Sequence, residues 1–153
     1  MKPHILIRET LLNGSMEDVF EFFSKAENLN VITPPVLGFK IITPLPVDMK
    51  KGTVIDYKIK LNGIPFNWRT EITKWDPPHC FEDTQIKGPY KVWIHEHKFE
   101  ARNEKTFMTD TVRYLSPGGP LEFIPHNLFV KKKVNFIFDY RKKIFDELFS
   151  LKK

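Results

Sequence analysis

The chain has 153 residues, 41% of them hydrophobic and 28% charged, with a net charge of +5. This bounds it to one domain, 1–153, and a chain of this length buries roughly 70% of its unfolded surface. The single cysteine, Cys80, excludes an intramolecular disulfide and a cysteine-rich metal centre. No run approaches the ~18 apolar residues of a membrane span, and Ile5-Leu6-Ile7 is too short for a secretory h-region, so a cytoplasmic protein is expected.

Residues 3–12 read as a first strand, broken by Asn13-Gly14. Ser15 is a good N-cap, and Glu17 and Asp18 put negative charge in the first turn that follows. Val19, Phe20, Phe22 and Phe23 give that helix an apolar stripe as far as Lys25. A second short helix is expected over 26–32, stopped by Pro34-Pro35. Strand patterns then follow in succession: 36–43, 52–61, 65–76, 80–86, 93–99 and 106–115. Asn62-Gly63, Pro77-Pro78, Lys87-Gly88-Pro89 and Asn103-Glu104 supply the turns. Consecutive strands joined by short turns make an antiparallel meander.

Ser116-Pro117-Gly118-Gly119-Pro120 ends the sheet. A long helix is expected from His126 to Phe149, about 36 Å, with Val130, Val134, Ile137, Tyr140/Arg141, Ile144 and Leu148 at helical spacing. Residues 116–153 hold eight Lys and Arg against four acids, so four of the five net positive charges sit there. The runs Lys131-Lys132-Lys133 and Arg141-Lys142-Lys143 spread around the helix rather than forming one stripe, so a solvated face is expected and nucleic acid is not. Arg141 itself is expected near the core, its head reaching Asp139 or water.

The strand at 93–99 stands out. Trp93, His95, His97 and Phe99 share one face, and a face that mixes large rings with imidazoles reads as the wall of a ligand cavity. The neighbouring strands add Asp110 and Tyr114, then Asp83 and Gln85, then Trp68 and Thr70. A carboxylate at Asp110 on an apolar face needs a partner, and a cross-strand pair with His95 or His97 would provide one. Two other readings remain: a buried structural network without ligand, and, with the register slipped by one, histidines facing solvent. His-x-His with Asp83 or Asp110 also has the residue types of a zinc site. Cys80 is expected to act as a small buried hydrophobe, and His4, His79 and His126 to lie on the surface.

A curved antiparallel sheet covered by one long helix, with two short helices after the first strand, is an α+β arrangement. It resembles the SRPBCC superfamily, the group of START, birch-pollen-allergen and polyketide cyclase/dehydrase proteins with the helix-grip fold of about seven strands. It is similar in detail to a bacterial ligand-binding or cyclase-like branch. The resemblance is carried by Thr33-Pro34-Pro35, Thr43-Pro44-Leu45-Pro46, Gly63-Ile64-Pro65 with Trp68, Gly88-Pro89-Tyr90, the 93–99 strand, and Ile137-Phe138-Asp139-Tyr140-Arg141. It implies binding of a hydrophobic or aromatic small molecule between sheet and helix, by a monomer or homodimer, with no cofactor and no metal. Trp68, Thr70, Asp83, Gln85, Trp93, His95, His97, Phe99, Asp110 and Tyr114 would line the site. The alternative is a cyclase/dehydratase-type enzyme in which His95, His97 and Asp110 carry acid–base chemistry.

Overall fold

A computed structural model describes residues 3–61, 63–115 and 130–150. Strand β1 (His4–Leu12) leads into helix α1 (Met16–Ser24), a 3-10 turn at Ala26–Asn28 and the single helical turn α2 (Leu29–Ile32). Six strands follow: β2 (Lys40–Ile41), β3 (Val54–Leu61), β4 (Ile64–Asp76), β5 (Cys80–Lys87), β6 (Val92–Arg102) and β7 (Lys105–Leu115). Helix α3 (Val130–Ser150) ends the described chain. The strands form one antiparallel sheet in the order β1-β7-β6-β5-β4-β3-β2, so β1 returns to pair with β7. This is the helix-grip fold, and no helix in the described residues is long and apolar enough to cross a membrane.

Local chemistry explains most boundaries. The Ser15 hydroxyl accepts a hydrogen bond from the Asp18 backbone N–H at 3.2 Å and starts α1. The spacing of Val19, Phe20 and Phe23 then buries one side of that helix. The expected second helix divides in two, because the Asn28 side chain donates to the Phe22 carbonyl at 2.8 Å and fixes a 3-10 turn first.

The strand expected over 36–43 is a strand only at Lys40–Ile41. Pro35 begins a 3-10 turn that ends at Gly38, whose φ of 54° is left-handed, so the first half of the stretch is spent on reversing direction. The other strands lie within a few residues of expectation, with β6 extended to Arg102. The expected start of the long helix at His126 lies outside the described residues.

Helix α3 is fastened to β1 by Arg8, which donates to Asn135 at 2.7 Å and pairs with Asp139 at 2.8 Å. Asp139 is therefore not the partner expected for Arg141. The buried core falls into two clusters. One, under α1, centres on Phe20, Phe23, Phe81, Phe99 and Phe145. The other joins Trp68, Tyr90, Trp93 and Tyr114 to Val134 and Phe138 of α3. What separates them is polar.

Candidate functional site

Strand β6 sets the site. Trp93, His95, His97 and Phe99 face inward, and His95 and His97 are 3% and 6% exposed. The solvent-facing alternative is therefore excluded. Across β6, His97 stands opposite Asp110 of β7 and opposite Phe81 of β5, while His95 stands opposite Val112 and Asp83. The hydrogen bonds run diagonally. The His95 Nε2–H donates to Asp110 Oδ1 at 2.8 Å, and the His97 Nε2–H to Asp83 Oδ2 at 3.1 Å. His97 Nδ1 also lies 3.1 Å from Asp110 Oδ1, an ion-pair distance off the line of a hydrogen bond. The two imidazoles stack with centroids 3.8 Å apart, His97 on Phe81 at 4.1 Å and His95 edge-on to Phe138 at 5.4 Å.

The electrostatics separate two residues of the same type. Burial and the neighbouring His97 lower the His95 pKa, outweighing Asp110, so His95 is neutral. Burial also works against charging His97, but contacts with Asp110 and Asp83 outweigh it and raise its pKa. Burial would raise both carboxylates, yet the histidines hold Asp110 and Asp83 below the usual range. The carboxylates thus favour the charged form of His97, while burial and His97 favour the neutral form of the stacked His95. Neutral His95, donating from Nε2, keeps its Nδ1 lone pair as an acceptor.

A cavity of about 100 Å³ opens beside the quartet. Its walls include Tyr57, Trp68, Tyr90 and Trp93 from the sheet, Leu29 and Ile32 from α2, and Ile137 and Arg141 from α3. Tyr57 stacks on Trp68 at 5.7 Å, and Trp68 meets Trp93 edge-on at 5.6 Å. Most ligand pockets measure about 300–1,000 Å³, so the aromatic side chains already fill much of the space and leave room for a small molecule only.

Of the ten residues expected to line the site, six do: Trp68, Thr70, Asp83, Trp93, His95 and His97. The other four are buried or half-buried behind the lining. Asp110 holds the two histidines. Gln85 clasps the Tyr90 backbone, donating at 2.6 Å and accepting at 3.2 Å. Phe99 belongs to the core under α1, and Tyr114 packs against Trp93 at 6.1 Å. Cys80 is half-buried at the start of β5 rather than in the core, with its thiol pKa raised chiefly by burial.

Sequence reasoning missed Arg141 as a site residue. Its guanidinium lies over the Phe138 ring at 5.1 Å and lines the cavity. The signal was its spacing, because 134, 138, 141 and 145 fall on one buried side of α3. Tyr57 was missed because β3 is two strands from β5 in the sheet, and the curvature carries it round.

Asp83, His95 and His97 present ligand atoms within 4.8 Å of one another, close enough for a metal ion to bridge. Those side chains are already engaged with each other and with Asp110, and Arg141 contributes positive charge nearby. The donor set is better satisfied by itself than by a cation.

No curated protein matches the chain in sequence. Solved structures share the fold. The protein TTHA0849 from Thermus thermophilus superposes with a TM-score of 0.75 at 16% identity, over 94% of this chain and 95% of that one. A START superfamily protein from Mycobacterium smegmatis gives 0.71 at 12% identity, over 98% and 99%. The ZhuI aromatase/cyclase from Streptomyces sp. R1128 gives 0.71 at 12% identity, over 93% and 90%. A profile of the family described as polyketide cyclase / dehydrase and lipid transport matches residues 12–136. On that match, over most of its length, the chain belongs to this family and with it to the SRPBCC superfamily.

Proposed function

We propose that this protein binds a small, largely apolar molecule in the cavity between the sheet and α3. The observation that supports this most is the composition of the lining. Seven aromatic side chains, Tyr57, Trp68, Tyr90 and Trp93 among them, line a space that ends on Asp83, His95 and His97. Apolar walls with a few convergent polar groups are what small-molecule sites consist of. The rings supply contact area, and the histidine–carboxylate quartet orients the ligand. The ligand is about one ring in size, because the cavity holds no more without movement of Trp68 or Trp93.

Native mass spectrometry of gently purified protein, paired with thermal denaturation against a panel of one-ring and two-ring aromatics, tests this. Expected is a co-purifying small molecule, or a melting temperature that rises with probe concentration as mass action requires. No adduct and no concentration-dependent rise across the panel would overturn it.

A second reading is catalysis on that ligand by an Asp–His pair, in the manner of a cyclase or dehydratase. The 2.8 Å Asp110–His95 hydrogen bond favours it, because a carboxylate holding Nε2–H leaves Nδ1 to act as a base. Loss of turnover in His95→Gln with ligand affinity retained would support this reading. Unchanged turnover would end it.

A further inference from the structure

Among the described residues, three buried side-chain nitrogens have no hydrogen-bond partner: Trp68 Nε1, His97 Nδ1 and Arg141 Nε. Their side chains all line the same cavity. Indole and guanidinium N–H groups only donate, and His97 Nδ1 already sits 3.1 Å from Asp110 Oδ1, so the unmet donors are Trp68 Nε1 and Arg141 Nε. Several acceptors nearby are already engaged. Asp110 Oδ1 takes the hydrogen bond of His95, and Asp83 Oδ2 that of His97. Thr70 turns its hydroxyl away to the Thr84 carbonyl at 3.1 Å. Buried polar groups are paired with few exceptions, so orphaned donors around one space describe what should fill it. The occupant brings acceptors.

Arg141 adds a permanent charge to that demand. It reaches the cavity from α3, resting on Phe138, which in turn meets His95 edge-on. Asp83, Asp110 and Tyr57 act on it through space, but both carboxylates are held by the histidines. Nε is one half of the side-on fork with which a guanidinium grips a carboxylate. Arg141 Nε, buried without a hydrogen-bond partner, leaves that half of the fork open.

Resting on the binding reading above, we propose that the cavity takes a single-ring aromatic carboxylate. The ring lies among Tyr57, Tyr90 and Trp93, and the carboxylate is received by Arg141 and Trp68. The cavity of about 100 Å³ sets the one-ring limit. The two unpaired donors set the acid group.

Calorimetric titration with benzoate and with toluene tests this on the full chain. Benzoate is expected to bind at least about tenfold more tightly than toluene, the scale of one charge-assisted pair. Arg141→Gln should abolish that preference, bringing the ratio of the two affinities measured on the same variant close to one. Trp68→Phe removes the Nε1–H donor together with part of the indole that packs on Tyr57 and Trp93. It should lower the benzoate-to-toluene affinity ratio severalfold, and it serves as the independent variant if Arg141→Gln proves unstable. Equal affinities in the native protein, or a preference that survives Arg141→Gln, would overturn the acid assignment. Toluene binding without benzoate binding would overturn it too, while leaving the apolar-ligand reading standing. Failure of both probes would sink the assignment together with the one-ring limit.

Discussion

His97 Nε2 hydrogen-bonds to Asp83 Oδ2 at 3.1 Å although the residue directly across the strands from Asp83 is His95. The same crossing occurs on the other side, where Asp110 stands opposite His97 and takes its hydrogen bond from His95. Two diagonal bonds on adjacent strand pairs lock the imidazoles into a stack. That arrangement shifts the pKa values of two histidines one strand step apart in opposite directions.

The first prediction concerns pH and stability. In the folded pair the pKa of His97 is raised and that of His95 is lowered. The unfolded pair titrates together near the ordinary histidine value of about 6.5. Above that pH the unfolded chain binds fewer protons than the folded one, so stability falls as pH rises toward the folded pKa of His97. Below it the unfolded chain binds more, so stability falls as pH drops through the unfolded value of His95. Melting temperature against pH should therefore peak near about pH 6.5 and fall on both sides. His97→Gln should flatten the alkaline side. A native profile that keeps rising from about pH 6.5 to about 8.5 would contradict the assignment.

Asp110 is the residue whose loss should cost most stability. Its carboxylate is 4% exposed and meets both imidazoles. Removing one partner from a buried ionic cluster costs roughly 3–5 kcal/mol. Urea denaturation of Asp110→Ala should show a loss of that size, and Asp110→Asn a smaller one because the hydrogen bond from His95 survives.

The clasp between Gln85 and Tyr90 yields a prediction that separates support from lining. A Cβ at Gly88 would collide with the Gln85 side-chain amide, so Gly88→Ala must displace it. Gln85→Ala removes both hydrogen bonds outright. Each is expected to destabilise by about 1–3 kcal/mol. Neither residue lines the cavity, so affinity for any cavity probe should change little in the variants that remain folded. A large loss of affinity at full stability would place Gln85 in the site.

Much of this was legible in the sequence, for identifiable reasons. Alternation in 93–99 and 106–115 showed which residues share a face, because a pleated strand has a period of two, and left open which face turns inward. The need to pair a carboxylate on an apolar face pointed from Asp110 to the histidines. Alternation does not reveal how far a buried side chain sits behind another. For that reason Asp110, Gln85, Phe99 and Tyr114 were expected at the lining and lie behind it. Arg141 was hidden for the opposite reason: a charged residue on a buried helical stripe reads as one whose head escapes to water. The short β2 escaped because β-branched residues at Val36 and Ile41 to Thr43 outweighed Pro35 and Gly38 in the reading.

The most direct test of the central claim, that His95 and His97 form the wall of a ligand cavity, is a histidine-ring NMR titration with a one-ring aromatic probe. Saturable shifts of the His95 and His97 ring signals are expected, with those of exposed His4 and His79 unmoved. Saturable binding that leaves both inner rings unchanged would contradict it.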